Sequence, residues 1–446
     1  MSLKSRRILF AFFVLIFCIL VPVVLLYATG HTINWRRFSL EKTGTVLIDS
    51  EPSSASIFVD GKAISTGLWG GLQNDTTLTT SARLKNIAPG EHTIRLELYG
   101  YWPWEEEFSL KPDEAVNFNT IHLFKQSKPE LLKETRGKVN ASSSNGKYFA
   151  IAENNNVILI NTANGEISNI SLAAGEKIDS LQWSKDEQFI LADQFLINSN
   201  DSTVVDLSKA IGPIEILRWN AVDSSSVWTS QKNVLTSYSA SSKSITRHTI
   251  KEITSTESII DFTIYGQNTF IIARSETGKE HLLIGSLGTN LKQLELPGAQ
   301  NYFVLNGSDL PCLHSGRKLY IIDEPLPLFP TPRLVEAANN FETGEWIDKS
   351  ILYAASLELR RWNNSQDTLL TRFGSPITAV KQLTRKPAII VALTDSIRLY
   401  SESRSSHILT ISSIKNTAGL SVSTDENFLY ALGEYENVQG IYRLAL

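Results

Sequence analysis

Residues 8–28, ILFAFFVLIFCILVPVVLLYA, are the only long run of the chain without a charged side chain. An α-helix rises about 1.5 Å per residue, so about twenty such residues cross a hydrocarbon layer of about 30 Å. Water solvates this run badly and a bilayer solvates it well. In lipid a helix satisfies its own backbone hydrogen bonds, which a lone strand cannot do. Pro22 removes one of those bonds, a loss that membrane helices accommodate. The run therefore separates a tail of residues 1–7 from more than four hundred residues on its other side.

Lys4, Arg6 and Arg7 precede the run. Positively charged flanks stay in the cytoplasm, so the expected topology is single-pass in the cell membrane, with a cytoplasmic N-terminus and an extracytoplasmic bulk. The lipid bilayer is thus the first expected partner, contacted through residues 8–28. A cleaved secretory signal is the competing reading. Its apolar core usually holds about 7–15 residues and ends at a small-residue cleavage site, and this run is longer and lacks the site. Phe17 stands before Cys18 where lipoprotein processing needs a small residue, so Cys18 reads as a lipid-facing or packed side chain of the membrane segment. Residues 29–43 read as a juxtamembrane linker, with Trp35, Arg36 and Arg37 suited to the headgroup level.

The rest of the 446 residues has the texture of an all-β protein: short β-branched and aromatic runs broken by Ser, Thr, Asn and Gly. The net charge of −4 creates no basic field for nucleic acid. The second cysteine, Cys312, lies far from Cys18, so no disulfide framework is expected.

Residues 44–124 form the first β unit. Strands are expected at 45–50, 55–60, 92–98 and 115–123, the last three from alternation of apolar and polar residues, with 82–87 leading into the turn before 92–98 and 105–110 following it. Asp60-Gly61 marks a hairpin. Ala88-Pro89-Gly90-Glu91 marks a type II turn, in which proline sets φ and glycine supplies a positive φ. With EPSSASIFVDGK, LKNIAPGEHTIRLELYGYWPWEEEF and the closing strand in this order, the unit resembles a PEGA domain, a small β module of prokaryotic surface and membrane proteins. The Pro-Gly turn, the Asp60-Gly61 hairpin and Tyr99-Gly100-Tyr101 carry the resemblance, and the loop around Leu68 to Thr80 is longer than its pattern. The resemblance implies a small β-sandwich acting as an extracytoplasmic scaffold, not a catalyst. Tyr101, Trp102 and Trp104 are the candidate ligand or partner contacts, weighed against packing over the end of the sandwich. Glu105-Glu106-Glu107 reads as a solvated strand edge.

Residues 125–138 are a polar linker containing a possible short strand at 130–134. From 139 to 446 the chain repeats about every 37 to 44 residues, the length of a propeller blade, with three or four short strands per unit. Units start near Ile259, Tyr302, Glu345, Ile377 and Leu420, among others. The turns Trp183-Ser184-Lys185-Asp186 and Ser423-Thr424-Asp425-Glu426 resemble the degenerate Trp-Asp-type blades of bacterial propellers. About eight blades are expected, with seven as the alternative. The last unit lacks an outer strand, which Leu131-Leu132 could supply to close the ring and remove exposed edges. The fold class is mainly β: one transmembrane helix, a PEGA-like sandwich and a β-propeller.

No Gly-rich phosphate loop, nucleophile elbow or calcium loop is present, and the seven histidines are scattered. No catalytic residue, cofactor or metal is therefore expected. The expected role is non-enzymatic: a membrane-anchored scaffold binding an envelope protein or glycan. The rivals are an enzyme using the propeller pocket on glycans or peptides, and a self-associating structural protein of the envelope.

Overall fold

In the computed structural model, all residues are described except 1–2, 29–30, 35–38, 66–76, 173–176, 299–300, 306–310, 324–332, 339, 348–349, 364–365 and 403–406. The collar residues Trp35, Arg36 and Arg37 and most of the long loop near Trp69 lie outside the described residues. The chain divides after Gln126 into two compact units.

The first unit opens with helix α1 (Leu3–Ala28), which runs through Pro22 without a break. It is long and apolar enough to cross a membrane or to act as a signal. Leu9, Phe10, Phe12, Phe13, Phe17 and Leu20 are all exposed, so protein does not cover the apolar surface. The stretch expected as a plain linker contains a hairpin, β1 (His31–Asn34) with β2 (Ser39–Lys42).

The rest of this unit is a two-sheet sandwich. Its strands are β3 (Gly44–Glu51), β4 (Ser56–Val59), β5 (Lys62–Ala63), β6 (Ala82–Ile87), β7 (Gly90–Glu97), β8 (Trp104–Leu110) and β9 (Ala115–His122). One sheet has the order β6-β3-β9 and the other β5-β4-β7-β8. Alternation decides the core: Val46, Ile48, Ile57, Ile94, Leu96, Phe108, Val116 and Phe118 all face inward. Asp60 and Gly61 take φ of 50° and 73°, the two positive values of a primed hairpin turn, between the paired Val59 and Lys62. Gly90 has φ of 146°, a conformation that favours glycine, but it opens β7 instead of completing a type II turn. The His92 ring closes this corner, with Nδ1 at 2.8 Å from the Asp60 carboxylate and Nε2 at 2.7 Å from the Ala88 carbonyl. The acidic run on β8 is not uniformly solvated. Glu105 and Glu107 are exposed, while Glu106 faces into the sandwich, because successive side chains leave a strand on opposite sides.

The second unit contains eight four-stranded sheets among the described residues. Blades 1 to 7 cover 140–171, 181–206, 216–249, 258–295, 302–338, 343–372 and 377–412, each an antiparallel meander of consecutive strands. Blade 8 takes three strands from 415–445 and its outermost strand, β10 (Glu130–Glu134), from the region before blade 1. This is the order of a β-propeller with eight blades, closed by joining the two ends of the chain segment in one sheet. Glu130 pairs with Arg443 and Glu134 with Gly440.

Each blade buries both faces, which explains apolar runs where a half-buried strand would alternate. In blade 1, Ala150, Val157 and Leu159 pack against Ile190 and Ile197 of blade 2. Their neighbours Phe149, Ile151, Ile158 and Ile160 pack against Tyr430, Leu432 and Ile441 of blade 8. The same sharing joins blade 2 to 3 through Leu191 and Val227, 3 to 4 through Leu235 and Phe262, and 4 to 5 through Ile272 and Leu313. Blade 5 joins 6 through Ile321 and Tyr353, and 6 joins 7 through Leu352 and Ile389. Each such side chain contributes about 1.5–3 kcal/mol on burial, so a blade without its neighbours would expose two faces of core.

Candidate functional site

The tip between β7 and β8 holds the candidate contact residues. The Tyr101 amide donates to the Leu98 carbonyl at 3.0 Å, and Gly100 between them has φ of 81°. This is the type II geometry that needs glycine at its third position. It throws Tyr99 wholly into solvent, at 101% relative exposure. Tyr101 is half-buried and packs on the sandwich core, bridged through its backbone to Lys125. Trp104 also lies on the core, edge-on to Phe118 with centroids 5.8 Å apart. Trp102 is half-buried, and its amide donates to the Phe124 carbonyl at 2.8 Å. The exposed surface at this tip is thus led by Tyr99, with the part-exposed Trp102 and the exposed Pro103 beside it. Sequence reasoning placed Tyr99 only in the turn. Its signal was the following Gly100, which makes the preceding position the corner of the turn.

The second constellation is the set of inner strands of the ring. An innermost strand has a sheet neighbour on one side only, so backbone groups on its other edge need partners. Side chains of adjacent blades supply them. Trp183 Nε1 in blade 2 donates to the Ala141 carbonyl of blade 1 at 3.0 Å, and Trp219 Nε1 in blade 3 donates to the Gln182 carbonyl of blade 2 at 3.4 Å. Asp261 in blade 4 accepts from the Val304 amide of blade 5 at 2.9 Å, and Glu345 in blade 6 accepts from the Gln382 amide of blade 7 at 2.7 Å. At the closing joint, Asn140 Nδ2 of blade 1 donates to the Ala418 carbonyl of blade 8 at 3.0 Å, and the Ser142 and Ser421 hydroxyls meet at 2.9 Å. A Cβ on Gly419 would fall on the Asn140 amide, so only glycine leaves room for this latch.

A second ring of contacts joins the turns after the inner strands. In blade 2 the Ser184 hydroxyl donates to Asp186 at 2.6 Å and accepts from the Phe189 amide at 2.9 Å, and Ser423, Asp425 and Phe428 repeat this in blade 8. The next residue in each turn, Glu187 or Glu426, has positive φ and reaches the neighbouring blade. Glu187 accepts from the Asn145 amide of blade 1, and Glu426 accepts from the Thr384 and Arg385 amides of blade 7. In blade 1 the equivalent position is Gly146, with φ of 72°, and a Cβ there would collide with the Val422 carbonyl of blade 8.

Charged groups near the inner strands are paired with one another. Arg218 Nη2 lies 2.8 Å from Asp261, whose side chain is 1% exposed, and Lys381 pairs with Glu345. Burial pushes the nearby His314 imidazole below its ordinary value, against the pull of Asp261. The Ser225 hydroxyl holds the Asp223 carboxyl below the usual range. Burial raises Asp425, but hydrogen bonds from Ser423 and Asn427 outweigh it and leave the group low. Asp367, in the outer strand of blade 6, is taken up by Arg360 and the Tyr353 hydroxyl of the same blade. Among the described residues no group of three His, Cys, Asp or Glu side chains is placed to hold a metal ion. The Arg218–Asp261 and Lys381–Glu345 pairs join neighbouring blades, while Tyr99 at the β7–β8 tip is fully exposed.

Residues 43–123 match the PEGA domain. The match covers β3 to β9, so the sandwich is called the PEGA module below. No curated protein matches the chain. Among solved structures, it is similar to a chain of the mitotic checkpoint complex at 12% identity, covering 72% of this chain and 93% of that one, with a TM-score of 0.42. It is similar to the computationally designed Ika8 protein at 11% identity, covering 71% and 100%, with a TM-score of 0.48. A dipeptidyl peptidase 4 from Porphyromonas gingivalis is similar at 10% identity, covering 70% and 58%, with a TM-score of 0.49. The propeller itself stands on the sheet order and the cores shared between blades.

Proposed function

We propose that this chain is a membrane-anchored extracytoplasmic scaffold. Helix α1 holds it in the bilayer with the N-terminus in the cytoplasm, the PEGA module spaces the propeller from the membrane, and the propeller presents a docking platform to an envelope protein or glycan. The proposed role includes no catalysis, and it is supported by charged pairs such as Arg218–Asp261 and Lys381–Glu345 that join neighbouring blades.

The observation that carries this reading is the pairing of the first and last strands of the module. β3 and β9 are parallel neighbours, with Thr45 beside Ala115 and Glu51 beside His122. A chain that arrives at the start of β3 therefore leaves from the opposite end of the module. Eight residues of strand at about 3.3 Å each carry it roughly 25 Å. Antiparallel terminal strands would have returned it to the side it came from.

The topology is tested by cysteine labelling in intact cells. Ser241 sits in an exposed hairpin turn of blade 3, whereas Cys312 is buried. With Cys18→Ala, a membrane-impermeant maleimide is expected to label Ser241→Cys from outside. Labelling only after permeabilisation would overturn the orientation. Crosslinking from Ser241 and Tyr99 in native membranes then tests the platform. Adducts made only with further copies of the chain would replace it with a self-associating envelope structure.

A further inference from the structure

We propose that the PEGA module is a load-bearing clamp, arranged so that tension between membrane and propeller shears its terminal strands instead of unzipping them. This deepens the spacer reading and rests on it. Tension between an anchor before β3 and a propeller after β9 pulls β3 towards its N-terminal end and β9 towards its C-terminal end. The two strands are parallel and adjacent. The pulls therefore act along the strands in opposite directions, and every rung between them is loaded together. In the unzipping geometry the force is perpendicular to the strands and meets one rung at a time.

The side chains and backbone at both ends of the ladder match this load path. At the near end, the Thr45 amide donates to the Glu114 carbonyl at 2.9 Å and the Asp113 amide to the Thr43 carbonyl at 3.2 Å. Lys42 Nζ pairs with Asp113 at 2.8 Å, tying the end of β2 to the turn before β9. At the far end, the Leu123 amide donates to the Glu51 carbonyl at 2.9 Å, and His122 Nδ1 faces the Glu51 carboxylate at 3.3 Å. Between the ends, Val46 and Ile48 of β3 and Val116 and Phe118 of β9 share one core, so sliding either strand drags apolar side chains out of it. Cross-links between the two terminal strands thus sit at both ends of the ladder, where the load is delivered, and β6 holds β3 along its other edge.

Single-molecule pulling on the full chain in lipid nanodiscs, in the Cys18→Ala background, tests the proposal. One pair of handles is attached at Lys42→Cys and Lys125→Cys, which loads the module along its native path. The second pair is at Lys42→Cys and Asp113→Cys, at the same end of the ladder, which peels β3 from β9. Both pairs remove the Lys42–Asp113 ion pair, so its loss does not distinguish them. Because the handles flank the module, the force bypasses helix and propeller, and release of about 80 residues, roughly 300 Å of contour, identifies the event with the first pair. At equal loading rate the first pair is expected to rupture in one step at least twofold higher in force than the second. Equal or lower force with the first pair would overturn the clamp. That result would leave the anchored spacer standing, since the labelling experiment tests it separately, and inward-facing labelling would leave the force measurement valid.

Discussion

Ser423 shows how much one hydroxyl organises in this molecule. It accepts from the Phe428 amide at 2.9 Å and donates to Asp425 at 2.6 Å, closing the turn from which Glu426 reaches blade 7. Ser423→Ala is expected to cost about 1–2 kcal/mol, read as a lower melting temperature, because a part-buried amide loses its partner. Gly146→Ala should cost more, about 2–4 kcal/mol, since a positive φ and a clash with a backbone carbonyl act together. Equal effects of the two substitutions would show that Gly146 does not set the spacing of the closing joint. The depressed carboxyls give the pH dependence. Asp223 and Asp425 titrate lower in the fold than the ordinary value of 3.8. Their contribution is therefore complete above about pH 4 and is lost as pH falls through the folded-state values. Denaturant midpoints should fall a little from pH 7 to 5, because His314 takes up its proton in the unfolded chain before it does so in the fold, and should fall further below pH 4.

At the scale of the element, β10 decides whether the ring is closed. It lies at the outer edge of blade 8, pinned by the Glu130–Arg443 ion pair at 2.7 Å. Ser127 adds two bonds to the backbone of Ala445, donating to its carbonyl at 3.0 Å and accepting from its amide at 3.1 Å. Leu132 packs against the core shared by blades 8 and 1. Leu132→Asp places a charge against that core and is expected to destabilise the propeller by more than about 2 kcal/mol. Hydrogen exchange should then show the amides of Gly440–Arg443 losing protection before those of blades 3 to 5. Uniform loss would mean that the ring does not open at this seam. Removing the ion pair alone, with Glu130→Gln, should cost less, because Glu130 is more than half exposed and solvent screens the pair.

For the whole molecule, the helix predicts membrane behaviour independently of everything downstream. The full chain should resist extraction by alkaline carbonate and dissolve in detergent, whereas residues 30–446 expressed alone should be recovered without detergent. Recovery of the full chain in the carbonate supernatant would show that the helix does not hold it in the bilayer.

The linear order of residues sufficed for the helix, for most strands of the PEGA module, and for the spacing of eight blades. Each of these depends on short-range periodicity: about twenty apolar residues without charge, alternation by two, and a unit repeated every few dozen residues. The resemblance at Pro89-Gly90 and Tyr99-Gly100-Tyr101 was legible for the same reason, since turns are local. What required the tertiary structure is everything that joins distant residues. Only the fold brings Glu130 beside Arg443, puts β3 parallel to β9, and aims Glu187 and Glu426 at the amides of other blades. Glu106 shows the division in one position: three adjacent glutamates look alike in sequence, and strand geometry turns the middle one inward. Tyr99 shows the converse, an aromatic residue that a glycine turn holds in solvent. Local sequence thus determined which elements form, because backbone preference and side-chain pattern act over a few residues. Their pairing, and with it the direction in which the chain crosses its spacer, was decided by contacts that exist only once the sheets have closed.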